Sequence, residues 1–156
     1  MSRHEYHRLI EELCEGAQID AVRRVQEEGW LRLDDKLIHI EYLEQKDRCR
    51  ISTTFELPEG AAEKSLLRLM LELNFQNADG DFPVFSLHPD TGEIVLNLLY
   101  PLPYLMDVGL ENVFDEQLAP LLEAWENVLE ESEEWSSEES REAPAAEDDS
   151  DIHKFV

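Results

Sequence analysis

Positive charge is what this chain has least of: 13 lysines and arginines stand against 37 aspartates and glutamates in 156 residues, a formal net charge of −24. Nucleic-acid backbones and anionic membranes would repel such a chain, so neither is expected as a partner, and a basic or neutral protein is favoured. Long apolar runs are also missing. None approaches the ~20 residues a bilayer span needs, and Met1-Ser2-Arg3-His4-Glu5 holds no apolar export segment, so a cytoplasmic location is expected. Cysteine is limited to two residues. Cys14 falls on the apolar side of a predicted helix and Cys49 on the inward side of a predicted strand, where free thiols behave as small hydrophobes, so no disulfide is expected.

The motifs of catalysis are lacking as well. The six glycines form no phosphate-cradling loop, there is no G-x-S-x-G, and no cysteine stands beside a plausible base. His4 and His7 share a helix face but not the H-E-x-x-H spacing of a zinc site, with His39 and His88 far away in sequence. Asn77-Ala78-Asp79-Gly80-Asp81 imitates part of a calcium loop, yet its glycine is misplaced and the closing glutamate is absent. His88-Pro89-Asp90 sits in a turn and reads as structure. No enzyme activity, cofactor or metal is expected.

What the chain does contain is enough apolar residues for one domain, organised around Phe82 to Pro103. Two apolar runs, Phe82 to Leu87 and Ile94 to Tyr100, flank the turn-forming His88-Pro89-Asp90-Thr91-Gly92-Glu93, which predicts a hairpin. Facing His88 with Glu93 pairs Leu87 with Ile94 and Phe85 with Leu96 on an apolar side, and Ser86 with Val95 and Val84 with Asn97 on a mixed side. A sheet of that kind must be covered on its apolar face by helices.

The remaining segments supply those partners. Ser2-Arg3-His4-Glu5 has capping-box form, and Tyr6, Leu9, Ile10, Leu13 and Cys14 follow at helical spacing up to Gly16. A short helix is expected from Asp20 to Glu28. Period-two alternation then marks Leu31 to Leu33, Ile38 to Tyr42 and Cys49 to Leu57 as strands, with a polar turn at Glu44 to Asp47. After Pro58-Glu59-Gly60, a helix is predicted over Ala61 to Gln76. Its apolar residues spread over roughly 200°, more than a helix covering one sheet requires. The excess predicts a second buried side, and a second copy of the chain is the economical occupant, with Leu66, Leu69, Met70 and Leu73 as candidate dimer contacts. A burial deep within one protomer is the competing explanation. Leu110, Phe114, Leu118, Leu121, Leu122, Trp125, Val128 and Leu129 mark a last helix, kinked or divided at Pro120. From Glu130 the composition turns to glutamate and serine, with eleven acidic and two basic residues. The expected organisation is an α+β domain over residues 1–131, a twisted antiparallel sheet packed against helices, and a disordered acidic tail over 132–156. The tail closes on a small apolar terminus, Ile152-His153-Lys154-Phe155-Val156.

This order of elements resembles the type III secretion chaperones of the Tir-chaperone (CesT-like) family, most specifically in Leu66 to Phe75, which ends in Leu-Asn-Phe, and in FSLHPDTGEIVLNLLYPLP, from Phe85 to Pro103. The resemblance covers about Ser2 to Glu131. It implies an α/β sandwich, usually dimeric, that works in the bacterial cytoplasm in virulence-associated protein export. Such a protein holds an extended N-terminal segment of effector proteins and delivers it to components of the secretion apparatus. Tyr6, Leu9, Leu13, Ile38, Ile40 and Phe55 are the candidate client contacts. Two departures stand out: Ala17 to Leu33 reads as an extra element, and the tail is long. They point toward a chaperone serving several effectors. A rival class is an acidic inhibitor or immunity-type protein that blocks a folded basic partner, distinguished by whether the partner is unfolded or folded when bound.

Overall fold

The computed structural model describes residues 2–77 and 83–142. Two helices open the chain, α1 (Ser2–Gly16) and α2 (Val22–Glu28), followed by strands β1 (Trp30–Leu33), β2 (Lys36–Leu43) and β3 (Arg48–Phe55). Helix α3 (Ala61–Gln76) precedes the hairpin β4 (Val84–Leu87) and β5 (Ile94–Pro101), and α4 (Leu102–Val108), α5 (Leu110–Val113) and α6 (Ala119–Glu142) close the described chain. The five strands form one antiparallel sheet in the order β1-β2-β3-β5-β4, so β1 and β4 are its edges.

Local chemistry explains the joints. Asp34 and Asp35 both take positive φ, 44° and 67°, which makes the two-residue β1–β2 connection a primed turn, a conformation that aspartate tolerates better than most residues. Gly29 ends α2 in the left-handed region at φ 75°, and a Cβ there would lie 2.3 Å from the Ile40 carbonyl oxygen, so only glycine allows β1 to leave the helix against β2. The hairpin register is the expected one: Val84 with Asn97, Phe85 with Leu96, Ser86 with Val95, Leu87 with Ile94.

Period two then sorts the sheet into two faces. Inward residues Ile38, Ile40, Cys49, Ile51, Thr53, Ile94, Leu96, Leu98 and Phe85 are buried. Above them lie Tyr6, Leu9, Ile10 and Leu13 of α1, Leu66 and Met70 of α3, Leu102 and Leu105 of α4, and Leu122 and Trp125 of α6, all in one core. The Tyr6 hydroxyl donates to the Ile40 carbonyl at 3.3 Å, and Trp125 packs against Phe85 with ring centres 4.5 Å apart. Each fully buried Leu or Ile contributes about 1.5–3 kcal/mol, which makes this single continuous core the main source of stability.

Two segments differ from expectation, and a third shows how the chain passes Pro120. Leu102–Val108 is helical, its Pro103 placed in the first turn, where a missing N–H costs nothing. At Pro120, where the sequence predicts a kink or two abutting helices in place of a loop, abutting helical segments run through without a loop. Phe114–Leu118 widens into a π-helical turn just before it, and α6 continues for 24 residues. Proline removes the bond its N–H would give to the fourth residue back, and the wider turn accommodates that loss. Finally, α6 runs through Glu142, so residues 132–142 of the expected disordered tail are helical. Ser132 is fully buried with its hydroxyl donating to the Leu129 carbonyl at 2.6 Å, and Trp135 packs against the core. The rest of the tail, 143–156, lies outside the described residues.

Candidate functional site

Helices on one side leave the other side of the sheet open. Its outward residues include Trp30 on β1, Leu37 and His39 on β2, Arg50 and Ser52 on β3, Val95, Asn97 and Leu99 on β5, and Val84 on β4. Trp30 and Leu37 at the β1 end and Val84 on β4 are 45%, 46% and 48% exposed. Polar pairs lie between them. The Ser52 hydroxyl donates to Asn97 Oδ1 at 2.9 Å, Asn97 Nδ2 donates to Ser86 Oγ at 3.2 Å, and Arg50 is ion-paired with Glu41 across the β2–β3 ladder. Trp30 stacks at a tilt on His39, with ring centres 4.6 Å apart.

The two sheet edges are not equivalent. At β4, Asn74 of α3 bonds both main-chain polar groups of Phe85, so its amide stands where a further strand would pair. At β1, the Gly29 carbonyl accepts from the Ile40 N–H. Alternation in an antiparallel ladder then turns the N–H and C=O of Trp30 and Arg32 away from β2, toward the outer edge.

A second apolar surface lies on α3. Leu71 and Phe75 are 69% and 84% exposed, and with half-buried Leu67 they form a stripe one helical repeat apart, flanked by Lys64 and Arg68. Arg68 is paired with Glu72 at 2.8 Å on the same helix.

The sequence candidates fall differently from their assignment. Of the six client candidates, Tyr6, Leu9, Leu13, Ile38 and Ile40 are core residues no more than 5% exposed, sealed between α1 and the inner face of the sheet. Phe55 is half-buried and lines an open groove at the end of β3. Of the dimer candidates, Leu66 and Met70 are buried beneath α3 and Leu69 and Leu73 are half-buried against the core, whereas Leu71 and Phe75 face outward. An arc wide enough for two buried sides cannot say which side the sheet takes; its centre, at Met70, is buried, while Leu71 at its edge and Phe75 just outside it carry the exposure. Burial pushes the Tyr6 hydroxyl up, and pushes the Cys49 thiol up to about 12, with a smaller push from the Asp47 carboxylate. Neither group is a nucleophile at neutral pH. In the β4–β5 turn, His88 Nδ1 accepts from the backbone N–H groups of Asp90 and Thr91 at 3.3 Å, a structural role.

The sheet is thus backed by helices on one face, with apolar side chains presented on the other and on α3. A model of the Tir chaperone protein (CesT) family matches residues 8–135. The chain belongs to that family of type III secretion chaperones, which bind effector-type partners and are not enzymes. Residues 17–33, read from sequence as an addition, lie inside the matched range and supply α2 and the edge strand β1. No curated protein matches the chain. Among solved structures, a chain in the crystal structure of the ExsC–ExsE complex is similar in fold, with a TM-score of 0.57 at 22% identity, covering 92% of this chain and 97% of that one. No helix among the described residues is long and apolar enough to cross a membrane.

Proposed function

We propose that the protein is a cytoplasmic homodimer that holds the N-terminal region of a secreted effector in extended form on the open face of its sheet and delivers it to the export apparatus. The observation that carries this reading is the one-sided packing. All large core side chains meet on the helical face, yet the other face presents Trp30, Leu37 and Val84 at nearly half exposure. An extended segment matches such a surface because its alternate side chains can enter the spaces between outward residues, while its main chain pairs with the free groups of Trp30 and Arg32 at the β1 edge. That edge is the open one, since Asn74 occupies β4.

Self-association is assigned to the α3 stripe of Leu67, Leu71 and Phe75 in place of the buried Leu66 and Met70. Two copies of α3 crossing antiparallel near Leu71 would cover both stripes and set Arg68 of each near Glu72 of the other. Service to several effectors fits contacts made largely through main chain and broad apolar surface, which discriminate little between sequences.

The test is to isolate the protein from its native cytosol with whatever accompanies it and to follow hydrogen exchange on the complex. Protection at β1 and β2, with a client segment that lacks structure of its own, is the expected result. Trp30→Glu together with Leu37→Glu should weaken client binding by about tenfold or more. Recovery of a folded enzyme alone would replace this reading with that of an acidic inhibitor.

A further inference from the structure

The end of the sandwich where β3 stops holds an open groove of about 1030 Å³. Its apolar lining is Phe55 and Leu57, with Leu129 of α6 opposite. Around these stand six glutamates: Glu56 and Glu59 after β3, Glu93 before β5, and Glu126, Glu130 and Glu133 on successive turns of α6. No cation lines the groove among the described residues. Three other concave surfaces among the described residues differ: Arg3 lies in the notch between α1 and β2, Arg8 in that between α1 and α4, and Lys64 and Arg68 on α3. Among the described residues, Lys36 is ion-paired with Glu126 of this rim.

We propose that this groove docks a basic, partly apolar segment of a partner protein, with lysines or arginines on the glutamate rim and an apolar side chain against Phe55, Leu57 and Leu129. Two features select that occupant. No three carboxylates among the described residues converge closely enough to hold a metal ion, so the negative charge is spread along the rim, as suits cations spaced along a polypeptide. The apolar lining adds contacts that a simple polycation leaves unused. The proposal rests on the groove itself and not on the chaperone reading, and either can fail without the other.

The experiment is an NMR titration of the full chain with a short synthetic peptide in which lysine alternates with leucine. Controls are the same peptide with serine for leucine, the same with glutamate for lysine, and spermine. Expected are shifts confined to Glu56–Glu59, Thr91–Glu93 and Glu126–Glu133, with affinity falling as salt rises. Glu59→Lys with Glu130→Lys should weaken binding by about tenfold, and Leu129→Ser by about threefold or more, with the fold intact by thermal melting. Asp115→Lys with Glu116→Lys, exposed residues that do not line the groove, should change it by less than about twofold. Equal binding of the serine peptide or spermine, shifts spread over the surface, or equal weakening by the Asp115/Glu116 pair would reduce the effect to net charge and overturn the proposal. Binding that emerges only after removal of residues 143–156 would also overturn it, by making the chain's own end the occupant.

Discussion

Asn74 holds Phe85 by its main chain: the Asn74 amide nitrogen donates to the Phe85 carbonyl and the Phe85 N–H donates to Asn74 Oδ1, both at 2.8 Å. One side chain on α3 thereby reproduces the two bonds a neighbouring strand would make, and closes the β4 edge at its middle. Replacing Asn74 with Ala should cost about 1–3 kcal/mol in urea unfolding, from two part-buried bonds lost together. It should also increase self-association through the opened edge, read by size-exclusion chromatography. Asn74→Asp keeps the acceptor for the Phe85 N–H but sets a carboxylate against its carbonyl, so it should rescue little; stability equal to the parent would show that the clamp contributes nothing.

The exposure of α3 separates two kinds of substitution. Leu71→Glu with Phe75→Glu places charges on side chains 69% and 84% exposed, so unfolding free energy should stay within about 1 kcal/mol of the parent while sedimentation shifts to monomer. Leu66→Glu or Met70→Glu instead buries an unpaired charge in the core and should cost several kcal/mol or abolish folding. A Leu71/Phe75 double variant that sediments like the parent would remove this stripe from the dimer contact.

Truncation should have a sharp threshold. Deleting residues 143–156 is expected to leave stability within about 0.5 kcal/mol, since that stretch carries little apolar surface to bury. Deleting 132–156 also removes Ser132 and Trp135, which pack at the α6 end, and should cost about 1–3 kcal/mol. Equal melting of the two truncations would contradict the packing assigned to Trp135.

The two cysteines predict a response to alkali. Burial raises both thiols, Cys49 from 9.0 up to about 12, so the unfolded chain loses these protons first as pH rises. Between about pH 9 and about pH 12 the folded state therefore binds more protons than the unfolded one, and stability present below pH 9 declines across that window. Urea midpoints measured up through this range should fall, less steeply for Cys49→Ala, and a thiol reagent at neutral pH should label neither cysteine until the protein unfolds. Rapid labelling of the native protein would show that the α1–β2–β3 core opens.

Much of this architecture was legible in the residues because it is set by local periodicity. The β4–β5 register follows from the apolar alternation on both sides of His88 to Glu93, since a slip by one residue would turn Phe85, Ile94 and Leu96 to solvent. The bounds of α3 follow from Gly60 before it and Asn77 after it. Helix α4 was missed because Pro101-Leu102-Pro103 reads as a strand stop, although Leu102, Leu105 and Met106 already stood at helical spacing. The tail was cut too early for a related reason: a run of glutamate and serine suggests disorder by composition, but glutamate is a good helix former and the single Trp135 anchors another turn.

The functional surfaces were harder to read, and the reason is geometric. By itself the sequence determined which residues are apolar and with what period, hence one sheet, its helices and an acidic chain unsuited to nucleic acid. It could not say which apolar residues remain outside once the core is full, because that depends on how elements distant in sequence divide the available contact. Tyr6, Leu9, Leu13, Ile38 and Ile40 pack against one another across α1 and the sheet and are buried there. Trp30 and Leu37 have the same chemistry but sit on the opposite parity of their strands, and Phe75 lies on the side of α3 turned away from the core. Likewise the six glutamates of the groove are scattered from Glu56 to Glu133, and only the closure of β3, the β4–β5 turn and α6 on one another brings them around Phe55, Leu57 and Leu129. Burial is a property of pairs of surfaces, and the pairing exists only in the folded chain.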